Sequence, residues 1–475
     1  MKILRSRRLA GLAACAALVL GVAGTAGAVP AQAQARASAA LAPPPDVASW
    51  GANGFGQLGD GTTTSRSRYA DIGAGNNVVQ VAAGWGHSLE ARSDGTVWAW
   101  GRNDLGEVGD GTTTNRLAPV QVTGLTGVTQ VAGGCVHSLA LRSDGTVWAW
   151  GDNTLGELGR GAVTGVEATA APVSGLAGVT KISAGCGFSL ALRSDGTLWA
   201  WGVNSAGQLG NGSTANSTVP VKITGLSQVT AIAAGWDSAV AVVAGGASVW
   251  AWGGNDAGQL GDGTTASHSI PVRVTQLGTV HITGAAVGMK YAAILSADGS
   301  VWAWGADNNG QLGNAPAATP PTRPVHTIAA GSGITQIAAG PDHMVALKSD
   351  GTVLAWGDNS FGELGNGTTT SVTGPVQVTG LTGATQVAAG IRASFAVHVP
   401  QPVPPVPDLT GDTKAQAGQV LQAAGLVLGT VTKDPEKDCA HNGLVISQTP
   451  AAGTSVFPGS AVSITIGGPP ANGCP

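Results

Sequence analysis

The first informative feature of this 475-residue sequence is how little charge it carries and how few aromatic residues other than tryptophan it contains. Charged residues make up 11%, less than half of the roughly 25% usual for soluble domains, and there are only 2 Tyr and 5 Phe. Long solvated helices need Glu, Lys and Arg on their outer faces, so this composition excludes a helical protein. A hydrophobic content of 43% excludes a disordered chain, and glycines without a three-residue period exclude collagen.

The residues in excess are glycine, with 75 copies, and tryptophan, with 14. Glycine supplies the backbone conformations that tight turns require. This composition therefore predicts an all-β chain rich in turns, and the length allows about two to four domains. Beyond the N-terminus, no apolar run reaches the ~18 residues that a membrane span needs.

The N-terminus has the pattern of a secretory signal peptide. Four basic residues precede an apolar run over residues 9–24, and small-residue cleavage sites follow. We predict a signal peptide over residues 1–28, with cleavage as late as residue 35, and a linker over 29–46. The Arg7-Arg8 pair fits twin-arginine export as well as a plain basic segment. Cys15 lies within the apolar run, which disfavours a lipid anchor there.

Removal of the signal peptide makes the chain more acidic. It lowers Lys+Arg from 23 to 19 against 27 Asp+Glu, which gives the mature chain a net charge of about −8. Such a chain lacks the cationic patch that binds phosphates, so nucleic acid is not an expected partner.

A Trp-Gly pair recurs seven times at a spacing of 50 to 52 residues, at Trp50, Trp100, Trp150, Trp201, Trp252, Trp304 and Trp356. A period of this length is typical of propellers and solenoids. Within one unit, residues 128–132, 138–142 and 147–150 have the pattern of strands, and Pro172-Val173 marks a fourth. Asp144-Gly145 between the second and third predicts a hairpin turn.

Five of the seven units carry two tryptophans two residues apart, in Val/Leu-Trp-Ala-Trp segments. Side chains at this spacing project from the same face of a strand. Because the pair recurs with the repeat, we expect the rings to pack between blades rather than form an exposed row.

The two ends of the repeat region complement each other. The last unit, residues 384–399, stops after a strand and lacks the Trp-Gly segment, whereas the region begins with that segment at residues 47–51. A ring lets the N-terminal strand complete the last blade and removes an exposed edge. We therefore predict a closed seven-bladed β-propeller over residues 47–399.

The repeat resembles that of the regulator of chromosome condensation family. The motifs that carry the resemblance are Gly134-x-x-His137-Ser138-Leu139-Ala140-Leu141, Asp144-Gly145-Thr146-Val147-Trp148-Ala149-Trp150-Gly151 and Asn153-x-x-Gly156-x-Leu158-Gly159. The resemblance extends over residues 47–399. The ~50-residue unit distinguishes it from the ~40–45-residue WD unit.

The C-terminal region forms a second domain. Residues 400–407 are a proline-rich linker. Residues 405–467, with a helix-like stretch over 415–424 and a strand over 462–466, resemble a PASTA domain, and 468–475 form a tail. The resemblance implies a small α+β domain outside bacterial cells that either binds peptidoglycan or muropeptides or serves as a spacer.

Four cysteines remain after cleavage, and they allow three pairings. Cys439 and Cys474 form the natural disulfide pair, because a bridge there ties the tail to a domain small enough to need a staple. Cys135 and Cys186 occupy one repeat position in adjacent units. We expect them to remain unbridged, since a disulfide needs Cα atoms within about 7 Å. Without a Cys-x-x-Cys motif, neither zinc nor dithiol chemistry is predicted.

The sequence offers no catalytic site, and we predict no enzyme activity, cofactor or metal. The Gly-x-Gly-x-x-Gly match at residues 54–59 belongs to a repeat turn. His87, His137 and His343 share a repeat position, and the family resemblance implies that each bonds its local turn. The aspartates of the hairpins recur with the scaffold, where Asp favours local hydrogen bonds.

Function in a repeat protein is expected where the repeats differ. The turns after Gly84, Gly134, Gly185, Gly235, Gly288, Gly340 and Gly390 should ring one mouth of the channel. Because Trp, Met and Arg are enriched at interfaces, we predict partner binding by Trp85, Trp236, Asp237, Met289, Lys290, Asp342 and Arg392. The alternative is that these residues plug the channel.

We expect a secreted or cell-wall-associated bacterial monomer without catalytic activity. Its propeller would bind an extracellular protein and its PASTA domain would contact peptidoglycan. Exported propellers of the resembled family include class A β-lactamase inhibitors, which present an aromatic in nearly every blade turn, whereas only Trp85 and Trp236 do so here. Guanine-nucleotide exchange, the activity of the eukaryotic namesake, is disfavoured by export and acidity. An undetected cell-wall enzyme is the remaining alternative.

Overall fold

The computed structural model describes residues 44–73, 77–314, 319–400, 405–435, 441–454, 456 and 460–469. The predicted signal peptide, nearly all of the 29–46 linker, and both members of the predicted Cys439–Cys474 pair lie outside these residues. Within them, seven four-stranded antiparallel sheets are followed by one three-stranded sheet with a helix. The seven sheets are the blades of the predicted propeller.

The first two strands are β1 (Asp46–Gly51) and β2 (Arg66–Asp71). Blade 1 consists of β3 (Val78–Ala83), β4 (His87–Arg92), β5 (Val97–Gly101) and β6 (Arg116–Gln121). Blade 2 consists of β7 (Val128–Gly133), β8 (His137–Arg142), β9 (Val147–Asp152) and β10 (Val166–Pro172). Blade 3 consists of β11 (Val179–Ala184), β12 (Phe188–Arg193), β13 (Leu198–Gly202) and β14 (Ser217–Lys222).

Blade 4 consists of β15 (Val229–Ala234), β16 (Ser238–Val243), β17 (Ser248–Gly253) and β18 (His268–Arg273). Blade 5 consists of β19 (Ile282–Val287), β20 (Tyr291–Ser296), β21 (Val301–Gly305) and β22 (Val325–Ile328). Blade 6 consists of β23 (Ile334–Ala339), β24 (His343–Lys348), β25 (Val353–Gly357) and β26 (Val372–Gln377). Blade 7 joins β27 (Ala384–Gly390) and β28 (Ala393–His398) to β1 and β2.

Blade 7 confirms the predicted closure of the ring. Its strand order is β27, β28, β1, β2, and β1 pairs antiparallel with β28, so that Trp50 lies opposite Ser394. The Trp50 indole Nε1 donates to the carbonyl oxygen of Glu363 in blade 6 at 2.7 Å. The N-terminal strand therefore completes the last blade and also docks it onto its neighbour.

The two halves of the repeat motif meet between blades. Trp150 Nε1 donates to the carbonyl oxygen of Glu107 at 2.7 Å, and its ring lies over Gly109 in the Gly-x-x-Gly loop of the preceding blade. A Cβ at Gly109, whose φ is +79°, would lie 2.6 Å from that Nε1, so only glycine fits. The same bond forms at all seven interfaces, from Trp50, Trp100, Trp150, Trp201, Trp252, Trp304 and Trp356.

These seven tryptophans are fully buried in apolar clusters that neighbouring blades share. For example, Trp150 packs against Leu89, Val97 and Val108 of blade 1. The five companion tryptophans, two residues earlier, are half-buried, and Trp148 packs at the edge of the same cluster. Packing between blades, predicted for the tryptophan pairs, is confirmed.

The outermost strands are protected against pairing with other chains. Because proline cannot donate to a β-ladder, it is tolerated on edge strands and blocks their extension. Five outer strands contain it, at Pro119, Pro172, Pro220, Pro271 and Pro375.

The C-terminal domain has its own core. Its helix α1 (Lys414–Ala423) begins with a capping box between Thr413 and Gln416. The sheet has the order β29 (Val427–Pro435), β31 (Ala461–Gly468), β30 (Val445–Thr449), with β29 and β31 parallel. Leu421 of α1 and Val462 and Ile464 of β31 are buried together. The helix and strand predicted here are confirmed to within a few residues.

Candidate functional site

The turns between the first and second strands of the blades form a hydrogen-bonded ring around the channel mouth. In each bond, the first turn residue donates its backbone N–H to a carbonyl in the turn of the next blade, as Trp85 does to Gly134 at 3.1 Å. Corresponding bonds start from Cys135, Cys186, Trp236, Met289 and Ile391. The series is interrupted at Pro341, which has no N–H. The backbone thus fixes where the variable side chains project.

The structure joins Cys135 and Cys186 in a disulfide, with their Cα atoms 4.6 Å apart. Our expectation that equivalent positions of adjacent blades lie too far apart is wrong here. The blades converge toward the axis, and the innermost turns are close enough for Cys135 N to donate to the Gly185 carbonyl. The bridge covalently links the mouth turns of blades 2 and 3.

A cavity of about 240 Å³, here called the central hollow, opens at the mouth. It is lined by Trp85, Trp236, Met289, Pro341, Asp342, His343, Asp358, Ile391 and Arg392. Five of the seven residues predicted to bind a partner therefore share one concave surface: Trp85, Trp236, Met289, Asp342 and Arg392.

The two tryptophans not required by the repeat differ in their environment. The side chain of Trp236 is 38% exposed. Trp85 is half-buried, with the guanidinium carbon of Arg102 5.1 Å from its ring centroid. Its Nε1 is buried and has no hydrogen-bond partner among the described residues. Since buried indole N–H groups normally find an acceptor, this donor is an exception among the buried polar groups of the mouth.

A second cavity adjoins the first and reveals residues that the sequence analysis missed. This rim hollow, of about 250 Å³, contains Phe55 and Phe361 together with Trp85, Ile391 and Arg392. The guanidinium of Arg392 lies 4.8 Å from the Phe361 ring centroid. Phe55 and Phe361 occupy the same position of the loop that follows the Trp-Gly segment, in different blades. The residue at this position varies between repeats, so the search for variable positions that we applied to the mouth turns would also have found these two residues.

The large apolar residues of this loop position are unevenly distributed around the ring. Consecutive blades 6, 7, 1 and 2 carry Phe361, Phe55, Leu105 and Leu155, whereas blades 3 to 5 carry Ala206, Ala257 and Asn309. Phe55 is 40% exposed and Leu155 47%. The mouth face thus has one apolar side.

The other two predicted residues, Asp237 and Lys290, belong to a separate charged cluster. Lys290 forms an ion pair with Asp256. Burial raises the pKa of Asp237, and the neighbouring Asp256 carboxylate adds to this effect. Burial likewise raises the pKa of Asp342, whose Oδ1 accepts from Gln311 Nε2 at 3.3 Å.

Three buried glutamates support the loops of the apolar side. Glu107, Glu157 and Glu363 each accept a hydrogen bond from the backbone N–H two residues earlier, at 2.8 or 2.9 Å. Burial raises the pKa of each to about 7. One carboxyl oxygen of Glu107 and one of Glu363 have no hydrogen-bond partner among the described residues, and that of Glu107 lies 4.0 Å from Arg102 Nε. In the other four units this position is glutamine.

The histidines that share a repeat position bridge blades. His87, His137 and His343 each place Nε2 within 2.8 to 2.9 Å of a serine Oγ in the following blade. The family resemblance implied that each histidine bonds its local turn. The structure corrects this, because Nε2 of each histidine bonds a serine of the following blade instead. Burial lowers the pKa of His87 to about 3 and that of His137 and His343 to about 4. These imidazoles are neutral structural groups.

The hairpin aspartates have the predicted local role. Asp144 Oδ1 accepts from the backbone N–H and the hydroxyl of Thr146, at 3.0 and 2.6 Å. Over the described ranges, no three His, Cys, Asp or Glu side chains are grouped as metal ligands. In the same ranges, the helix that forms is too short or too polar to cross a bilayer.

Comparison with known proteins identifies both domains. The sequence profile of the RCC1-like domain matches residues 28–241 and 179–401. The chain belongs to the RCC1-like domain family. The PASTA profile matches residues 404–468. Both family resemblances stated from the sequence are confirmed.

Curated relatives of this RCC1-like protein match it in part. The ultraviolet-B receptor UVR8 of Arabidopsis thaliana is 33% identical over 237 residues, which are 49% of this chain and 52% of the receptor. The human probable E3 ubiquitin-protein ligase HERC3 is 34% identical over 228 residues, 46% of this chain and 21% of that protein. The chain therefore spans about half or less of the length of these relatives.

Solved structures share the propeller fold. Yeast RCC1 (Prp20), in a complex with Kap60, has a TM-score of 0.67 at 22% identity, covering 76% of this chain and 90% of that one. Human WBSCR16 has a TM-score of 0.67 at 24% identity, covering 74% and 98%. At these sequence identities, the structural similarity establishes a shared fold and no more. The RCC1-like propeller and the PASTA domain together support a non-enzymatic binding role in general.

Proposed function

We propose that this RCC1-like protein is a secreted, cell-wall-associated bacterial monomer without catalytic activity. Its mouth face binds an extracellular protein partner, and its PASTA domain contacts peptidoglycan. The observation that carries the proposal is the pair of adjoining hollows at the mouth, which bring together Trp85, Trp236, Phe55, Phe361 and Arg392 beside the hydrogen-bonded ring of turns.

The composition of this surface fits a protein interface. Aromatic residues and arginine dominate the energetic centres of such interfaces, especially where they line desolvated pockets. Arg392 is exposed above the Phe361 ring, and Trp85 lines both hollows. Asp342 and Asp358, at the edge of the central hollow, supply acceptors for a polar rim.

The test of the mouth face begins with affinity capture of a partner on the full chain, followed by calorimetry with the purified partner. Trp236→Ala and Arg392→Ala should each weaken binding by tenfold or more, on the scale of interface hot spots. Ile270→Ala is the matched control, because this residue is 54% exposed on the outer strand β18. Unchanged affinity of both mouth variants would contradict the assignment.

The wall contact is tested by sedimentation with purified peptidoglycan. The full chain is compared with a chain ending at Val399, in which blade 7 and the ring remain complete. Binding by the full chain and its loss on truncation would support the PASTA assignment. Equal sedimentation of both chains would exclude it, and failure of both to sediment would indicate a spacer.

Inhibition of a class A β-lactamase is the second candidate. The exposed rings of Phe55 and Phe361 add aromatic surface to a mouth whose turns carry only two tryptophans. A steady-state assay with purified enzyme tests this candidate. Absence of inhibition at micromolar chain concentration would remove it.

A further inference from the structure

Glutamine side chains fasten the innermost strands of four blades to their neighbours. Gln130 Oε1 accepts from the backbone N–H of Ile182 at 3.0 Å, and its Nε2 donates to the carbonyl of the same residue at 3.1 Å. Equivalent double bonds join Gln80 to Val131, Gln336 to Val387 and Gln386 to Val81. Each primary amide imitates the paired residue of an adjoining antiparallel strand.

The same repeat position lacks glutamine in blades 3, 4 and 5, where it holds Lys181, Ala231 and Gly284. Lys181 Nζ donates to the Thr230 carbonyl at 2.7 Å. Ala231 and Gly284 have no side-chain polar group. Over the ranges that the structure describes, no neighbouring-blade side chain therefore reaches the N–H of Ala285 or Ile337, the positions that correspond to Ile182.

A cavity of about 270 Å³ occupies this place and is here called the clamp cavity. Ala231, Gly284, Ala285 and Ile337 all line it, and Lys181 lies at one side. A Cβ at Gly284 would meet nothing closer than 3.7 Å, so the strand leaves room beside it. The cavity is separate from the central and rim hollows, with which it shares no lining residue.

We propose that the clamp cavity binds ligands carrying a primary carboxamide, which takes the place of the missing glutamine amide. The ligand carbonyl accepts from the N–H of Ala285 or Ile337, and the ligand NH₂ donates to the carbonyl of the same residue. A carboxylate supplies no donor. A trans secondary amide directs its N–H away from its carbonyl oxygen, so it cannot make both bonds to one residue.

This geometry predicts a sharp selectivity. Peptides with Asn or Gln side chains and small amidated molecules both carry the required group. A ligand with two such groups could occupy the neighbouring sites at Ala285 and Ile337 together.

The test uses ligand-observed NMR with the full chain and propanamide, which reproduces the glutamine side chain beyond Cα. We expect saturable binding in the millimolar range, as suits so small a ligand, and none by N-methylpropanamide or propanoate. The double variant Ala231→Gln/Gly284→Gln should bind propanamide at least tenfold more weakly. Val163→Gln, at an exposed loop residue, is the matched control and should bind normally.

Three results would overturn the proposal. The first is no binding of propanamide by the unaltered chain, and the second is equal binding of N-methylpropanamide. The third is full binding by the double variant, whose folding is checked by its melting temperature. The first two comparisons need no variant, so they hold even if the double variant fails to fold. A glutamine tripeptide and glutamine amide then distinguish peptide from small-molecule sources.

Discussion

The imidazole Nε2 of His137 lies 2.8 Å from the hydroxyl oxygen of Ser189, across the interface between blades 2 and 3. Both side chains are fully buried. At the next interface the histidine position holds Phe188 and the serine position holds Ala239. The chain thus contains a polar and an apolar version of the same contact.

His137→Phe is expected to reduce the free energy of unfolding by about 1 to 3 kcal/mol, because it leaves the buried Ser189 hydroxyl without its partner. The double variant His137→Phe/Ser189→Ala copies the Phe188–Ala239 pair and should recover most of the loss. Denaturant unfolding at pH 7.5 measures both. Equal losses in the single and double variants would contradict the coupling.

The same pair sets an acid limit on stability. Burial lowers the pKa of His137 to about 4, so between pH 6.5 and 4 the unfolded chain takes up a proton that the folded chain refuses. Protonation of His137 in the unfolded chain therefore lowers the free energy of unfolding as the pH falls. Because the double variant lacks this histidine, its free energy of unfolding should rise relative to that of the original chain by up to about 3 kcal/mol as the pH falls through this window. A pH-independent difference between the two chains would refute the assignment.

Glu107→Gln and Glu363→Gln should stabilise the protein at pH 8 by about 1 to 3 kcal/mol each. Burial raises the pKa of both carboxyls to about 7, so the folded state holds their protons more tightly than the unfolded state. Stability contributed by these groups is lost as pH rises from 4.5 to 7. The gain should consequently vanish near pH 4.5.

The chain offers a reverse control for this prediction, since Gln57 occupies the same repeat position. Gln57→Glu should destabilise at pH 8 and be nearly neutral at pH 4.5. Melting curves at the two pH values separate these effects. A gain from Glu→Gln that is equal at both pH values would show that ionisation is not its cause.

Deletion of residues 46–52 should lower the melting temperature by about 10 °C or more, because it removes the buried Trp50 and exposes β28. A chain ending at Val399 keeps the closed ring and serves as the control. Calorimetry of the two chains tests the role of closure. An unchanged melting curve for the deletion would exclude it.

Replacement of Cys135 and Cys186 by serine should lower the free energy of unfolding by about 2 to 4 kcal/mol, since the bridge closes a long loop. In a chain ending at Val399, which lacks the predicted Cys439–Cys474 pair, dithiothreitol should cause a similar loss and leave the double variant unchanged. Denaturant unfolding with and without reductant measures this. Reductant sensitivity that persists in the double variant would assign the effect to another bond.

The propeller could be predicted because its signals are periodic. The Trp-Gly segment and the Gly-x-x-Gly loop recur together, and the truncated last unit pointed to blade 7. The Cys135–Cys186 bridge could not, because separation between equivalent positions depends on distance from the channel axis, which a repeat pattern does not contain. The sequence also could not predict that Phe55, Phe361 and Arg392 line one cavity, because this depends on loops of two blades lying next to each other in space.

Of the seven residues predicted to bind a partner, the shared turn position correctly indicated that Trp85 and Trp236 lie at one hollow. It could not separate them from Asp237 and Lys290, whose ionic neighbour Asp256 comes from a different loop. The missing glutamines at Ala231 and Gly284 are visible in the sequence. Their meaning depends on the hydrogen bonds that Gln130 and its counterparts make.

The composition of blade 7 means that the ring can close only late in the synthesis of the chain. Trp50 emerges from the ribosome early, but its acceptor, the Glu363 carbonyl, is 313 residues further along the chain. Until β28 has been made, β1 pairs only with β2, and the other edge of β1 remains unpaired. Contacts this distant in sequence form slowly. A product terminated before β28 would thus retain an open, aggregation-prone edge, and only a chain that includes β28 can close it.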